Sequence, residues 1–561
     1  MSRRPSALLR LTPLLVAALA CSTFLPPATP APAPSPAPAA THTPAALGAS
    51  PTPPSAATLA PAATREPEAA ASPPALVIHP GPQYYAGDVL SLAVTADPAW
   101  ERAQVSLHLG GADGPVIVSG EFGAFGIGGR PQATFWWAWD TAGLAGEQTL
   151  TVVVTPPAGP GSAAAPGVFS QSVTLLPADQ RPAPEAQARW AEARSACCVF
   201  HYLTGTAAAR DIDLIRAQAD QAFARVEQTL GVRQRGRVAF TLLSRLLGHG
   251  GFASDEIYLT YIDRNPAGLD LQTVFVHEGT HILDRQIADQ RPTFITEGLA
   301  VFVAGGHYYP EDLDQRAAAL LALDRYLPLA ELARAFYPAQ HEIGYLEAGA
   351  FVKYLVDTYG WERFRAMLAA FEPADDEAAL LAAGLRAEYG RTLEELEAEW
   401  LAHLRAQPVD PDQVTHLRLT IALFDALRQY QLQDDPAAHF LSAWLPDGPE
   451  ARRRGLVADF VRSPRAPENV ALEAMLAAAE QALARRDFDL AERLINSVNG
   501  VLAAGNLFFD PLAARYLRVV TDLAARGYEA QTIDLAGPAP RAAAIRQWPI
   551  LEDVPLYNSG Q

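Results

Sequence analysis

Hydrophobic residues follow two different spacings along this chain of 561 residues. Between residues 76 and 177 apolar side chains alternate with polar or small ones, as at Leu90, Leu92 and Val94. Turn-forming glycines and prolines separate the alternating runs. This pattern is typical of short strands with one buried face, and it predicts a β-sandwich over residues 76–177.

A helical spacing becomes prominent between residues 186 and 408. The segment 211–230 carries its apolar residues on one face, as an amphipathic helix does. Strands are predicted on either side of it, over 197–203 and 238–243, after a short helical stretch that runs through Trp190. We therefore expect an α+β domain over residues 186–408.

The last part of the chain, residues 412–561, is predicted to be all-α. Its helical patterns cover residues 416–431, 436–444, 450–461, 469–485, 489–503 and 511–526. The pair between Val470 and Leu502 resembles a tetratricopeptide hairpin, but only one such unit is clear, and a solenoid needs about three. We expect a helical domain that is partly tetratricopeptide-like and either binds a partner in a groove or supports the preceding domain.

One segment of the α+β domain carries candidate chemistry. A helix predicted over 274–287 places His277 and His281 one turn apart on one face, where two imidazoles can bind one metal ion. Glu278 lies next to His277, so its carboxylate is beside the open position of the metal and can take a proton from water there. This is the pattern of a zinc hydrolase, and Zn²⁺ is the expected cofactor.

A catalytic zinc ion needs a third protein ligand, and Glu297 is the candidate. It lies sixteen residues after His281, in a second predicted helix over 293–304 that follows Pro292. A helix, a short loop and a second helix would form a hairpin that returns Glu297 to the two histidines.

Two short phrases in these helices carry a family resemblance. They are His-Glu-Gly-Thr-His at 277–281 and Thr-Glu-Gly-Leu-Ala at 296–300. Together they resemble the gluzincin metallopeptidases, in particular the bacterial peptidase MA-like domain. The resemblance extends over about residues 195–407 and implies a zinc peptidase that acts on a peptide or protein substrate.

The same resemblance implies roles for two further segments. The strand predicted over 252–261 corresponds to a sheet edge that pairs with an extended substrate, and an interior strand without that role is the alternative. The helix over 344–360 resembles the one that closes the cleft, and its Tyr345 is the candidate donor to the oxyanion. His307 and His341 compete with Tyr345 for this role, and Tyr345 packing under the metal helix is the structural alternative.

Three functions are compatible with these residues. A zinc metallopeptidase with Glu278 as general base is the leading interpretation, because ligands and base are all present. The alternative is a catalytically inactive, peptidase-like surface protein that binds peptide or glycan. Hydrolysis of a non-peptide amide is a third, since ligands alone do not define the substrate. Asp284 is by spacing a candidate to support the metal ligands, or it is simply solvated.

The N-terminal residues indicate export to the cell envelope or beyond. Residues 1–21 have the layout of a signal peptide, with arginines before an apolar run that is too short to span a membrane. Ala18-Leu19-Ala20-Cys21 resembles a lipobox, which implies a lipid anchor at Cys21; the family usually has leucine in place of Ala18, and plain secretion is the alternative. Residues 22–75 are rich in Pro, Ala, Ser and Thr and are predicted to form a disordered linker.

The amino-acid composition limits the class of fold and the kinds of partner that the chain can have. Three cysteines exclude a disulfide-rich scaffold, and Cys197 and Cys198 are expected to be unbonded apolar residues because neighbours on a strand point to opposite faces. The net charge of −19 argues against nucleic acid and against an anionic membrane surface as partners.

A cluster of aromatic residues lies in the predicted sandwich. Phe135, Trp136, Trp137 and Trp139 form either part of its core or a carbohydrate-binding face, and alternation on a strand favours the core. The phrase that begins at Trp137 and runs to Leu144 resembles bacterial immunoglobulin-like modules. The sandwich is therefore expected to be a spacer or a substrate-positioning domain.

Overall fold

The computed structural model describes most of the chain from residue 74 onward. The described residues are 74–79, 83–96, 100, 102–125, 132–155, 167–181, 183–246, 250–253, 256–266, 270–337, 339–372, 376–435, 438–439, 445, 447–535, 541–546 and 557–560. The signal peptide predicted at 1–21 and the linker predicted from 22, up to residue 73, lie outside them. In the described part of the chain, no helix combines the length and the apolar character needed to cross a bilayer.

The first folded part is built from two sheets. Its strands are β1 (Ala75–His79), β2 (Tyr84–Tyr85), β3 (Val89–Ala96), β4 (Gln104–Leu109), β5 (Val116–Glu121), β6 (Gly123–Phe125), β7 (Gln132–Asp140), β8 (Gly146–Thr155) and β9 (Gly167–Leu176). One sheet has the order β1-β3-β7-β6 and the other the order β2-β9-β8-β4-β5. Leu90 and Leu92 from the first sheet share one core with Leu107 and Val152 from the second. The sheet-rich character expected from the alternating pattern is confirmed, and the immunoglobulin-like assignment stays a prediction.

The aromatic cluster divides between a core and an interface. Trp139 is buried in the core between the sheets, and Phe135 packs against that core. The Arg454 guanidinium lies 4.7 Å from the centre of the half-buried Trp137 ring. The side chain of Trp136 is not among those described. The core interpretation is therefore confirmed for Trp139 and Phe135, while Trp137 contacts the C-terminal part of the chain.

A mixed sheet precedes the predicted metal helix. Its strands are β10 (Trp190–Arg194), β11 (Cys198–Leu203), β12 (Val238–Leu243), β13 (Gly251–Ala253) and β14 (Ile257–Thr260), in the order β10-β11-β12-β14-β13. Helix α1 (Ala183–Gln187) ends before Trp190, so the expected helical stretch through Trp190 is wrong. Trp190 pairs instead with Leu203 on β11, and its indole donates to the Leu456 carbonyl, a contact far away in sequence. Helix α2 (Ala207–Leu230) packs its predicted apolar face on this sheet.

The strand expected over 252–261 is two strands. β14 lies between β12 and β13, and all its residues are buried, so the interior alternative is right for Ile257–Thr260. Gly251–Ala253 forms the antiparallel edge. β14 has no open face because Ile257 packs into the core below the sheet, while Tyr258 packs against Leu456 and Phe460 from the C-terminal part.

Cys197 and Cys198 form a disulfide, which contradicts the expectation that they are unbonded. β11 begins at Cys198, so Cys197 lies in a bend rather than on the strand, and the alternation rule does not apply to it. Asp220 on α2 holds this bend by accepting hydrogen bonds from the backbone of Ala196 and Cys197 and from the Ser195 hydroxyl.

The sheet is followed by a helical region that contains the motifs. Its helices are α3 (Leu271–Leu283), α4 (Thr293–Ala304), α5 (Leu313–Ala322), α6 (Leu329–Arg334), α7 (His341–Tyr359), α8 (Trp361–Ala369), α9 (Glu377–Tyr389) and α10 (Leu393–Arg405). α4 has the predicted bounds, and α3 is extended by a 3₁₀ turn over Asp284–Gln286. At the start of α10, Thr392 and Glu395 form the capping box that the sequence pattern indicates.

The C-terminal part is mainly helical. Its helices are α11 (Pro411–Asp434), α12 (Gly448–Arg454), α13 (Ala458–Val461), α14 (Pro467–Ala484), α15 (Phe488–Ala503) and α16 (Pro511–Ala525). The single helix expected over 450–461 is wrong, because Gly455 adopts a left-handed conformation (φ 70°) that ends α12. Most of the predicted helix 436–444 lies outside the described residues, and the tetratricopeptide likeness stays a prediction.

The prediction that the C-terminal domain is all-α is also wrong, because it contains a sheet. The described chain ends in a small antiparallel sheet of β15 (Tyr528–Asp534), β16 (Arg541–Arg546) and β17 (Tyr557–Gly560). Glu529 on β15 and Glu473 on α14 both bind the buried Arg264, which follows β14. These ion pairs join the last sheet to the loop that precedes α3.

Candidate metal centre

Helix α3 presents the motif because both its ends are held in place. Asp270 caps the first turn by accepting from the backbone N–H of Gln272. At the other end, Arg291 binds the carboxylate of Asp284 and donates to the carbonyl of His281 at 3.3 Å. Asp284 is thus buried and paired rather than solvated, and it anchors the end of the helix without contacting an imidazole.

Glycines let the motif helices pack closely. A Cβ at Gly298 would lie 2.5 Å from the carbonyl oxygen of Ala348, so α4 can approach α7 only with glycine at this position. At the start of α4, the backbone N–H and the hydroxyl of Thr293 donate to Glu377 on α9. α4 is therefore fixed against two helices, and this orients Glu297 toward α3.

His277, His281 and Glu297 converge on one point. The two Nε2 atoms are 3.1 Å apart, and Glu297 Oε2 lies 3.4 Å from Nε2 of His277 and 3.2 Å from Nε2 of His281. A tetrahedral zinc ion with ligands at roughly 2.0–2.1 Å needs ligand atoms roughly 3.3 Å apart. The three side chains fit such an ion, and the expected hairpin geometry is the one observed.

Electrostatics within this group also favour a cation. Burial would raise the pKa of Glu297, but the neighbouring His281 and His277 outweigh it and hold the pKa well below its usual range. Burial lowers the pKa of His277 to about 4, so this imidazole is neutral, as a metal ligand must be. At His281 burial acts in the same direction, but the Glu297 carboxylate overrides it and raises the pKa to about 9. Without a metal, a proton on His281 balances the buried carboxylate.

Glu278 lies beside this group rather than in it. Its carboxylate is buried, and burial raises its pKa to about 7, partly offset by His281. A Cβ at Gly251 would lie 3.4 Å from Glu278 Oε1, which places the edge strand β13 next to this carboxylate. The Glu278 carboxylate is therefore adjacent to the strand that forms the sheet edge among the described residues.

Residues 242–406 match the sequence profile of the Peptidase MA superfamily. The match supports a Peptidase MA superfamily domain over these residues. The matched residues begin at the end of β12 and include the whole motif hairpin and α7. No curated protein matches the sequence.

Several solved structures resemble the chain remotely. The M1 zinc metallopeptidase from Deinococcus radiodurans has 13% identity and a TM-score of 0.28, over 58% of this chain and 93% of that one. Native yeast LTA4 hydrolase has 11% identity and a TM-score of 0.32, over 76% of this chain and 92% of that one. An aminopeptidase N family protein from Idiomarina loihiensis has 10% identity and a TM-score of 0.25, over 59% of this chain and 76% of that one.

Tyr345 lies beside the candidate metal ligands His277, His281 and Glu297. Its ring centre is 6.1 Å from that of His277, and it stacks on the ring of His307 at 4.2 Å and lies 4.3 Å from that of His341. The three candidates for an oxyanion donor are thus in mutual contact. Burial raises the pKa of the Tyr345 phenol well above its usual value, so it remains a hydrogen-bond donor.

Tyr337 contacts a candidate metal ligand, and the sequence pattern did not indicate it. Its hydroxyl donates to Glu297 Oε1 at 2.9 Å, while Oε2 of the same carboxylate faces the imidazoles. This contact orients the carboxylate, as second partners of metal ligands commonly do. Tyr337 lies in the loop after α6, where no spacing or motif marks it.

Proposed function

We propose that this chain is a zinc-dependent metallopeptidase that hydrolyses peptide bonds outside the cytoplasm. The observation that carries the proposal is the convergence of His277, His281 and Glu297 within 3.4 Å of one another, with Glu278 alongside. The superfamily match supports a peptidase, and the donor set supports zinc.

The residues of the chain have separate tasks in this mechanism. His277, His281 and Glu297 hold the ion, and Tyr337 orients the carboxylate ligand. When bound, zinc would activate a water molecule and polarise the scissile carbonyl. Glu278 takes a proton from the attacking water and passes it to the departing amine, a task that suits a carboxyl whose pKa is raised toward neutrality.

Two further groups position and stabilise the substrate in this proposal. Among the described strands, Gly251–Ala253 forms the sheet edge beside Glu278, and an extended peptide that adds to this edge would lie next to the Glu278 carboxylate. Tyr345 donates a hydrogen bond to the oxyanion as the carbonyl is attacked.

Export from the cytoplasm is part of the proposal. It rests on the signal-peptide layout of residues 1–21 and is supported by the Cys197–Cys198 disulfide, since disulfides persist in oxidising compartments. Lipid attachment at Cys21 is tested by mass spectrometry of the mature N-terminus. A lipidated Cys21 confirms the anchor, and an unmodified N-terminus indicates plain secretion.

The decisive experiment compares wild type with Glu278→Gln in a peptide-library digest. The variant should retain its zinc and lose peptide hydrolysis by about 10²–10⁴-fold, because only the proton acceptor is removed. Glu362→Gln, at an exposed position on α8, is the matched control and should cleave like wild type. Equal cleavage by Glu278→Gln and wild type would contradict the mechanism, and zinc binding without any cleavage by wild type would favour the inactive binding protein.

A further inference from the structure

A second buried group of side chains that can bind a metal ion lies beside the first group, which consists of His277, His281 and Glu297. It consists of His307, which follows α4, and of His341 and Glu342, the first two residues of α7. All three side chains are buried, with exposures of 6–7%. The proposed mechanism uses neither Glu342 nor a second cation, and the superfamily motif does not include this group.

The backbone brings His307 into this group through two glycines. Gly305 ends α4 with a left-handed conformation (φ 82°). A Cβ at Gly306 would lie 2.0 Å from the carbonyl oxygen of Tyr309, so only glycine fits there. The resulting turn places His307 against the start of α7.

The donor atoms of the second group approach one another closely. His307 Nδ1 lies 3.3 Å from Glu342 Oε1, a separation that suits two ligands of one ion. One ligand atom from each of the three residues lies within 4.8 Å of the others. Tetrahedral zinc needs ligand atoms roughly 3.3 Å apart, so binding of an ion would draw these three atoms together.

We propose that His307, His341 and Glu342 form a second metal site that takes a divalent transition-metal ion such as Zn²⁺. Two imidazoles and one carboxylate are the same donor set as in the first group, and nitrogen ligands select such ions over Ca²⁺ or Mg²⁺. The His277 and His307 ring centres are 5.7 Å apart, so the two sites are neighbours. The Tyr345 ring stacks on His307 at 4.2 Å and lies 6.1 Å from His277, so it lies beside both groups.

One feature opposes a cation at this position. The Arg428 guanidinium on α11 interacts electrostatically with Glu342 and Tyr308, so part of the Glu342 charge is already balanced. The second site is therefore expected to bind zinc more weakly than the first, whose carboxylate faces imidazoles and a phenol.

The test is the metal content of the full chain. Protein stripped with a chelator is reloaded with Zn²⁺, and the zinc-to-protein ratio is measured by mass spectrometry of the metal. Wild type should bind two ions, and His281→Ala and Glu342→Gln should each bind one. His201→Gln, on β11 and outside both groups, is the control and should bind two.

Two results would overturn the second site. A wild-type ratio of one that is lost in His281→Ala would show that only the first group binds zinc. A ratio of two in both wild type and Glu342→Gln would place the second ion elsewhere.

If Glu342→Gln does not fold, anomalous scattering from wild-type crystals decides: a peak between His307 and Glu342 supports the site, and a single peak at His277 refutes it. Failure of the proposed function is distinct, since it would appear as loss of zinc binding or cleavage at the first group.

Discussion

The two buried His-His-Glu groups have the same donors but differ in how the chain assembles them. In the first group, two ligands share one helix at a spacing of four residues, and the third comes from the next helix. In the second, one histidine lies after a glycine turn, and the other two donors begin a helix more than thirty residues later. In the first group all three pairs of ligand atoms lie within 3.4 Å, whereas in the second the His307–Glu342 pair lies at 3.3 Å and the three ligand atoms lie within 4.8 Å of one another.

Two groups with the same donors, both buried and closely spaced, can therefore differ in how strongly they attract a cation. The first carboxylate, Glu297, contacts the Tyr337 hydroxyl, which is uncharged, and two imidazoles, which become neutral ligands when a metal ion displaces the proton on His281. The second carboxylate, Glu342, shares its charge with the Arg428 guanidinium. The surroundings of the carboxylate therefore distinguish the two groups more than the donors do.

Replacing one histidine of each group with alanine should give the largest difference in peptide hydrolysis between two variants. His281→Ala is expected to reduce peptide hydrolysis to background, because the activating ion is lost. His341→Ala should reduce kcat/KM by about 10–100-fold, the range for groups that act through a neighbour. Steady-state kinetics on one peptide from the library digest measures both. Equal losses would show that the two groups act as one site.

Removing the Tyr345 phenol, which lies beside both groups, should give the next largest effect. Tyr345→Phe is expected to lower kcat by about 10²–10³-fold with little change in KM or zinc content, since an oxyanion donor acts in the transition state. Unchanged kcat would assign Tyr345 a packing role and leave His307 or His341 as the donor.

The contact that orients Glu297 should affect metal binding more than turnover. Tyr337→Phe is expected to weaken zinc affinity about 10–100-fold, as measured by competition with a chromophoric chelator, because the carboxylate loses its second partner. Tyr326→Phe removes a comparable Tyr–Glu hydrogen bond, to Glu397, away from the site and is the matched control. Equal affinities in all three proteins would rule out a role for Tyr337 at the metal.

Glu480 shows how burial alone changes the pKa of a carboxyl group, because no charged neighbour contributes to its shift. Burial raises the pKa of Glu480 on α14 to about 8 from 4.5, and its Oε2 has no hydrogen-bond partner among the described residues. The folded state thus binds this proton more tightly than the unfolded state, and the free energy of unfolding falls as pH rises from about 4.5 to about 8.

Glu480→Gln should remove this penalty without affecting catalysis. The variant should unfold like wild type near pH 4.5 but be more stable above pH 8, by a few kcal/mol at roughly 1.4 kcal/mol per pKa unit. Urea unfolding at both pH values measures the difference. Glu468→Gln, exposed on the same helix, should show no pH-dependent gain. A gain for Glu480→Gln that is equal at both pH values would contradict the assignment to burial.

Local patterns in the sequence were sufficient to predict much of the fold and the first group. The four-residue spacing of His277 and His281, the bounds of α4 and the capping box at Thr392 are all properties of neighbouring residues. They could be predicted because helix geometry alone relates residues three or four apart. The alternating strands near Leu90 were predictable for the same reason, with a period of two.

The remaining features depend on contacts between distant segments. The burial of both faces of β14 depends on the C-terminal helices that cover Tyr258, and these lie about 200 residues away. The Cys197–Cys198 bond depends on the bend that Asp220 holds, and the contact of Tyr337 with Glu297 depends on a loop without any repeat.

The sequence by itself thus determined the spacing of the candidate catalytic and metal-binding side chains: two imidazoles lie on one helix face, one carboxylate lies beside them and another lies on the next helix. Only the tertiary structure decided what surrounds those groups, including Tyr337, the edge strand Gly251–Ala253 and the second His-His-Glu group. The physical reason is that periodicity records which face of an element is buried but not which distant element buries it. Charge compensation and metal geometry depend on that second piece of information.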